Sequence, residues 1–130
     1  MEHPADSPDA HRRHWEDAEL LLAQGRLANA DHLYGFSAEC GLKAVGQSLG
    51  MPLRKKHVQE LWPICAAYFQ GKLGRRYLQL LPAGTPFTDW HHNNRYAHRG
   101  HVTGANVSPH HQAARAIRTM VQSMAQDGQL

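Results

Sequence analysis

The chain has 130 residues, 42% of them hydrophobic, and carries a formal charge of +3 with its 11 histidines neutral. Such a length fits a single domain with one modest core, and no apolar run approaches the roughly 20 residues that a membrane-crossing helix needs. Two cysteines, Cys40 and Cys65, exclude a disulfide framework or a paired-cysteine motif, and the mild positive charge permits a nucleic-acid partner without requiring one.

Residues 1–8 hold two prolines among small and acidic residues and read as a flexible lead-in. Glu2, Asp6 and Asp9 fit neither the basic start nor the apolar centre of a secretion signal, so a cytoplasmic location is expected. Ser7 or Asp9 caps a first helix running to about Gln24, with Trp15, Ala18, Leu21 and Leu22 on one side and Gly25 as its stop. A second helix follows at once. Leu27, Ala30, Tyr34, Ala38, Leu42, Val45 and Leu49 recur at spacings of three and four until Gly50 and Pro52 end the run. The short connection Gly25-Arg26 sets the two helices as an antiparallel hairpin, and Gly35, Gly41 and Gly46 predict that the second is crowded and buried.

Beyond the basic loop Arg54-Lys55-Lys56-His57, the spacing of Val58, Leu61, Trp62, Cys65, Tyr68 and Phe69 predicts a third helix, with Pro63 as a kink or early turn. Residues 70–81 suggest a short helix before Pro82, Gly84 and Pro86 impose a loop. Ser108-Pro109, a cap followed by proline at the first helical position, opens the last helix, which buries Ala114, Ile117, Val121 and Met124. No strand-like alternation or repeat competes. The expected fold is all-α, an up-down bundle of four main helices plus short ones over residues 9–125, with 126–130 frayed.

The chemistry concentrates in Asn94-Arg95-Tyr96-Ala97-His98-Arg99-Gly100-His101, which follows Trp90-His91-His92. Arginine is a permanent cation whose planar fork matches phosphate oxygens, and histidine exchanges a proton near neutral pH. On a helix, Arg95 and His98 share a face, while His101 approaches from beyond Gly100. Either histidine then accepts the 2′-hydroxyl proton of RNA while Arg95 holds the phosphate, a metal-independent cleavage giving a 2′,3′-cyclic phosphate. Arg54, Lys55, Lys56, Arg75, Arg76 and Arg99 would steer a polyanion, or else form an ordinary solvated surface.

The second helix, with an opening helix ending in Gly-Arg before it, carries Ala38-Glu39-x-x-Leu42-Lys43-Ala44. Together with Arg95-Tyr96 this resembles the HEPN domains, small helical bundles of nucleotide-linked systems, over about residues 9–125. Many are metal-independent ribonucleases with an Arg-x(4-6)-His site, and Arg95 to His101 meets that spacing. The residue after Arg95 is Tyr96 instead of the polar residue of that pattern, and Arg95-Tyr96 is similar to the group encoded beside minimal nucleotidyltransferases. The resemblance implies a homodimer whose two motifs face one cleft.

Other positions admit two readings each. Glu39 and Lys43 form a structural i,i+4 ion pair, or Glu39 reaches and orients Arg95. Asp31 and His32 are polar residues of a helix start, or line the cleft beside Asn94, Arg95 and Tyr96. Trp15 and Trp62 fall on apolar stripes, which leaves Trp90 as the tryptophan expected near a cleft. His91-His92, His98, His101 and His110-His111 raise a metal site, but without a paired-cysteine or HExxH pattern no metal or other cofactor is expected. Two functions stand side by side: an RNA- or nucleotide-binding endoribonuclease using Arg95 with His98 or His101, and a non-catalytic binding module that partners a nucleotidyltransferase.

Overall fold

Asp6, one residue ahead of the expected caps, starts α1 (Ser7–Ala23): its side chain accepts the Asp9 amide at 3.0 Å, and Pro8 sits in the first turn, where no amide is missed. The helix ends on Gly25, whose φ of +73° lets the chain reverse while the Gly25 and Arg26 amides bond back to Leu22 and Leu21. This closure leads straight into α2 (Leu27–Ser48), so the two helices form the expected hairpin. The computed structural model describes residues 1–51, 53, 55–71, 77 and 79–130. Pro52, Arg54, Arg75, Arg76 and most of the short helix expected over 70–81 lie outside the described residues.

α2 is the centre of an all-α bundle. It packs against α1, α3 (Val58–Phe69) and α4 (Gly104–Gln126), and buries side chains around most of its circumference, from Ala30 through Tyr34, Ala38 and Leu42 to Val45. Its glycines are close-approach positions. A Cβ on Gly35 would collide with the Trp90 indole, and one on Gly41 with Ile117 and His11. Pro63 lies within α3, on its exposed side. Among the described residues there is no strand, and no helix is long and apolar enough to cross a membrane.

α4 departs from the expectation at both start and face. It begins at Gly104, where Thr103 donates its backbone N–H and its hydroxyl to Asn106 Oδ1, each at 2.9 Å. Pro109 is therefore inside the helix; it removes the bond to the Ala105 carbonyl, an exposed group that water can satisfy. Val121 is half-buried, whereas Ala114, Ile117 and Met124 are buried.

The segment between Pro82 and Val102 is what the bundle positions for function. Phe87 and Trp90 are each 1% exposed and plug into the helices: Phe87 between Trp62 and the His110 ring, Trp90 against Gly35, His32 and Phe36. From these two anchors the chain runs into two short 3₁₀ turns, His92–Tyr96 and Arg99–His101, both lying against α2.

Candidate functional site

The two turns and the start of α2 enclose a cleft of about 400 Å³. Arg26, Leu27, Ala28, Asn29, Asp31 and His32 come from the helix side, and Asn94, Arg95, Ala97, His98, Arg99 and Val102 from the turns. Arg26 is the residue before the helix and makes no side-chain cap, so the first amides of α2 meet no capping oxygen. An uncapped helix start carries a partial positive charge. Three guanidinium groups, Arg26, Arg95 and Arg99, add to it, and among the described residues none of them pairs with a carboxylate. Arg95 Nη1 donates to the His92 carbonyl at 3.3 Å, and its guanidinium lies 4.7 Å from the centre of the Tyr96 ring.

The cleft gathers some of the sequence-derived residues and leaves others outside. Arg95, His98, Arg99, Asn94, Asp31 and His32 line it. Arg95 and His98 do so from separate turns and not from one helix face, because the backbone is extended at Ala97 and His98. His98 Nδ1 accepts the Gly100 amide at 2.9 Å, so Nε2 is the ring nitrogen free to meet a ligand. His101 is exposed, 6.5 Å from the His98 ring, and does not line the cleft. Tyr96 is 77% exposed and also outside it.

Glu39 does not reach Arg95. Its Oε1 accepts the Val58 amide at 3.1 Å and lies 3.0 Å from His57 Nδ1, and its Oε2 sits 3.6 Å from Lys43 Nζ. Glu39 and Lys43 thus join α2 to the start of α3, and neither lines the cleft. Trp90 is a buried anchor instead of an open stacking surface; its ring supports His32, 5.3 Å away, which in turn lines the cleft. Both ring nitrogens of His32 are buried without a hydrogen bond. Burial, then the charges of Arg95 and His92, hold its pKa below the ordinary value against the pull of Asp31, so the ring is neutral at pH 7.

One residue behind the cleft enters the sequence reading only as a member of the candidate metal-binding histidines, and its role is a different one. His110 of α4, 2% exposed, sits with Nδ1 2.6 Å from Asp31 Oδ1 and Nε2 2.7 Å from Asp89 Oδ1. Burial by itself depresses the His110 pKa, but the hydrogen bonds and charges of Asp31 and Asp89 outweigh it and raise the pKa above the ordinary 6.5. Two carboxylates at two ring nitrogens require two N–H donors, which is the imidazolium. The clamp ties α2, α4 and the loop together beneath the site. Its neighbour His111 places Nε2 2.7 Å from Glu19 Oε1, an oxygen that accepts the Tyr34 hydroxyl at 2.6 Å. Burial, reinforced by that hydrogen bond, pushes the Tyr34 pKa up, so Tyr34 is the donor there.

Among the described residues, no three His, Cys, Asp or Glu side chains converge on a point able to hold a metal ion. Cys65 is buried and Cys40 half-buried, and burial raises their thiol pKa values to about 12 and about 11, so neither is a ready nucleophile. Arg26 and the bare start of α2 were legible only as a missing cap, since no Ser, Thr, Asp or Asn stands between Gly25 and Leu27. No protein-family model, no curated protein and no solved structure matches this chain.

Proposed function

We propose that the chain is a HEPN-like module that binds the phosphate of RNA or of a nucleotide in the cleft between the start of α2 and the Asn94–Val102 segment. The observation that carries this reading is the convergence of Arg26, Arg95 and Arg99, unpaired with any carboxylate among the described residues, on an uncapped helix start. Uncompensated guanidinium groups and helix amides that face one cleft are complementary to a phosphate group. His98 offers a further N–H from Nε2, since Nδ1 already accepts a backbone amide. The Ala38-Glu39-x-x-Leu42-Lys43-Ala44 and Arg95-Tyr96 patterns support the HEPN-like assignment. With it come a homodimer and a nucleotidyltransferase as the partners to look for.

A second reading, metal-independent endoribonuclease, is favoured by Arg95 and His98 lining the same cleft. It needs a ring nitrogen able to take the 2′-hydroxyl proton. His98 Nδ1 is engaged and His101 stands outside the cleft, so binding is the better supported of the two.

The test is to titrate wild type and Arg95→Ala with end-labelled single-stranded RNA, in EDTA and at several salt concentrations, and to inspect the RNA ends. With three arginines engaged, the slope of log affinity against log salt should be about −2, becoming shallower by about 0.7 in Arg95→Ala. Affinity should drop roughly tenfold or more on removing a charged hydrogen bond. Equal affinity and equal slope for the two proteins would refute the reading, and Arg95-dependent cyclic-phosphate ends would move it to the nuclease.

A further inference from the structure

Asp31 is the carboxylate that lines a cleft otherwise rich in positive groups. It is 6% exposed, and its Oδ1 is taken by His110 Nδ1 at 2.6 Å. Among the described residues Oδ2 accepts no hydrogen bond, yet it is not sealed from solvent. A carboxylate facing a phosphate site repels the ligand unless its charge is offset and its free oxygen receives a donor. His110 does the first. It bears a proton on each nitrogen, lies between Asp31 of α2 and Asp89 of the loop, and stacks on Phe87 at 5.1 Å, so it also fixes the direction of the Asp31 carboxylate. The ligand must supply the second.

We propose that the cleft takes a ribonucleotide unit, its phosphate against Arg95, Arg99 and the free amides of α2 and its 2′-hydroxyl donating to Asp31 Oδ2, so that the site selects ribose over deoxyribose. This rests on the phosphate-binding reading above. A helix rises 1.5 Å per residue, which puts Asp31 about 5 Å along the axis from the Ala28 amide. That separation suits the phosphate and the sugar hydroxyl of a single nucleotide. A carboxylate also reads guanine, but through both oxygens at once on adjacent N–H groups, and Oδ1 is already committed to His110. One free acceptor oxygen fits one hydroxyl.

The experiment compares binding of adenosine 5′-monophosphate, its 2′-deoxy counterpart and its 2′-O-methyl derivative to the full chain by calorimetry. The same comparison is made with four-nucleotide ribo- and deoxyribo-adenylate, and inorganic phosphate and Arg95→Ala serve as controls. The ribo form should bind about tenfold tighter than both analogues, the size of one hydrogen bond to a charged group. The 2′-O-methyl ligand keeps the oxygen and loses the donor, so this arm needs no variant and no folding control. In Asp31→Asn the amide oxygen turns to His110 and its NH₂ faces the ligand as a donor, which the 2′-oxygen of the ribo and 2′-O-methyl forms accepts alike, so the preference for ribo over 2′-O-methyl should fall to about one while phosphate still binds. A preference seen with the tetramers alone supports the proposal with RNA as the source; one seen with the monophosphate supports it for free nucleotides. Equal ribo and deoxy affinities, both lost in Arg95→Ala, overturn this proposal and leave the phosphate site standing. Phosphate and nucleotide binding that ignores Arg95 overturns both.

Discussion

His110 shows how one side chain can be worth more than its immediate contacts. Its partner Asp31 has a side chain 9% exposed, whereas that of Asp89 is 62% exposed. Removing the ring leaves a carboxylate buried without its cation, and such a half-broken pair is destabilising by about 3 kcal/mol. His110→Ala should therefore lose about that much in urea unfolding, while Asp89→Asn, whose charge is largely in water, should lose under about 1 kcal/mol. Equal losses would mean that the two carboxylates share the work. The same residue explains a limit of sequence reading. His110 stands beside His111 in a stretch of scattered histidines, and nothing in its spacing announces that Asp31, 79 positions away, closes on it. Asp31 itself was legible as a polar group near a helix start. Glu39 and Lys43 were legible as a pair at i and i+4, and that local reading is the one the fold uses.

At the scale of elements, the site depends on how the Pro82–Val102 segment is pinned. Gly35 leaves a notch that the Trp90 indole fills, and the turn carrying Arg95 begins two residues after Trp90. A methyl group at position 35 occupies the same space as the indole, so Gly35→Ala should be destabilising by roughly 1–3 kcal/mol through overpacking. It should also shift Trp90 emission to the red and weaken phosphate binding, whereas a site independent of this anchor would keep its affinity. The helices were legible because their signals are local: apolar spacing of three and four, Gly25 and Gly50 with φ of +73° and +78° after their helices, and the short turn that makes the hairpin. The start of α4 was misread because Ser108-Pro109 is a stronger cap-like pair than Thr103 with Asn106, and the exposed Pro109 is tolerated where its missing bond falls on the solvent side. The polar neighbours His91 and His92 place Trp90 near a cleft, but its burial is decided by a glycine 55 positions earlier.

Across the whole molecule, the histidines whose pKa values the fold displaces respond to pH in opposite directions. His11 is 1% exposed, with Nδ1–H donating to the Ser37 carbonyl at 2.7 Å and Nε2 buried without a partner. Burial first, then the charges of Arg118 and Arg12, hold its pKa below the ordinary 6.5. Burial likewise lowers His14 and His32. These three are neutral in the folded chain and take up protons on unfolding, so their contribution is whole above pH 6.5 and is lost as pH falls below 6.5 through their folded values. His110, with its pKa raised, contributes fully below 6.5 and loses that contribution as pH rises through its higher folded value. Below neutrality these three, joined by His92, whose pKa burial and the charge of His57 also lower, oppose the one, and the growing positive charge of an already basic chain adds repulsion. The melting temperature should therefore fall between pH 7 and pH 5. His11→Asn retains an N–H toward the Ser37 carbonyl without the titrating ring, so it should be less stable than wild type at pH 7 but decline less steeply toward pH 5. Parallel declines for the two proteins would clear His11 and place the acid sensitivity on His14, His32, His92 or the overall charge.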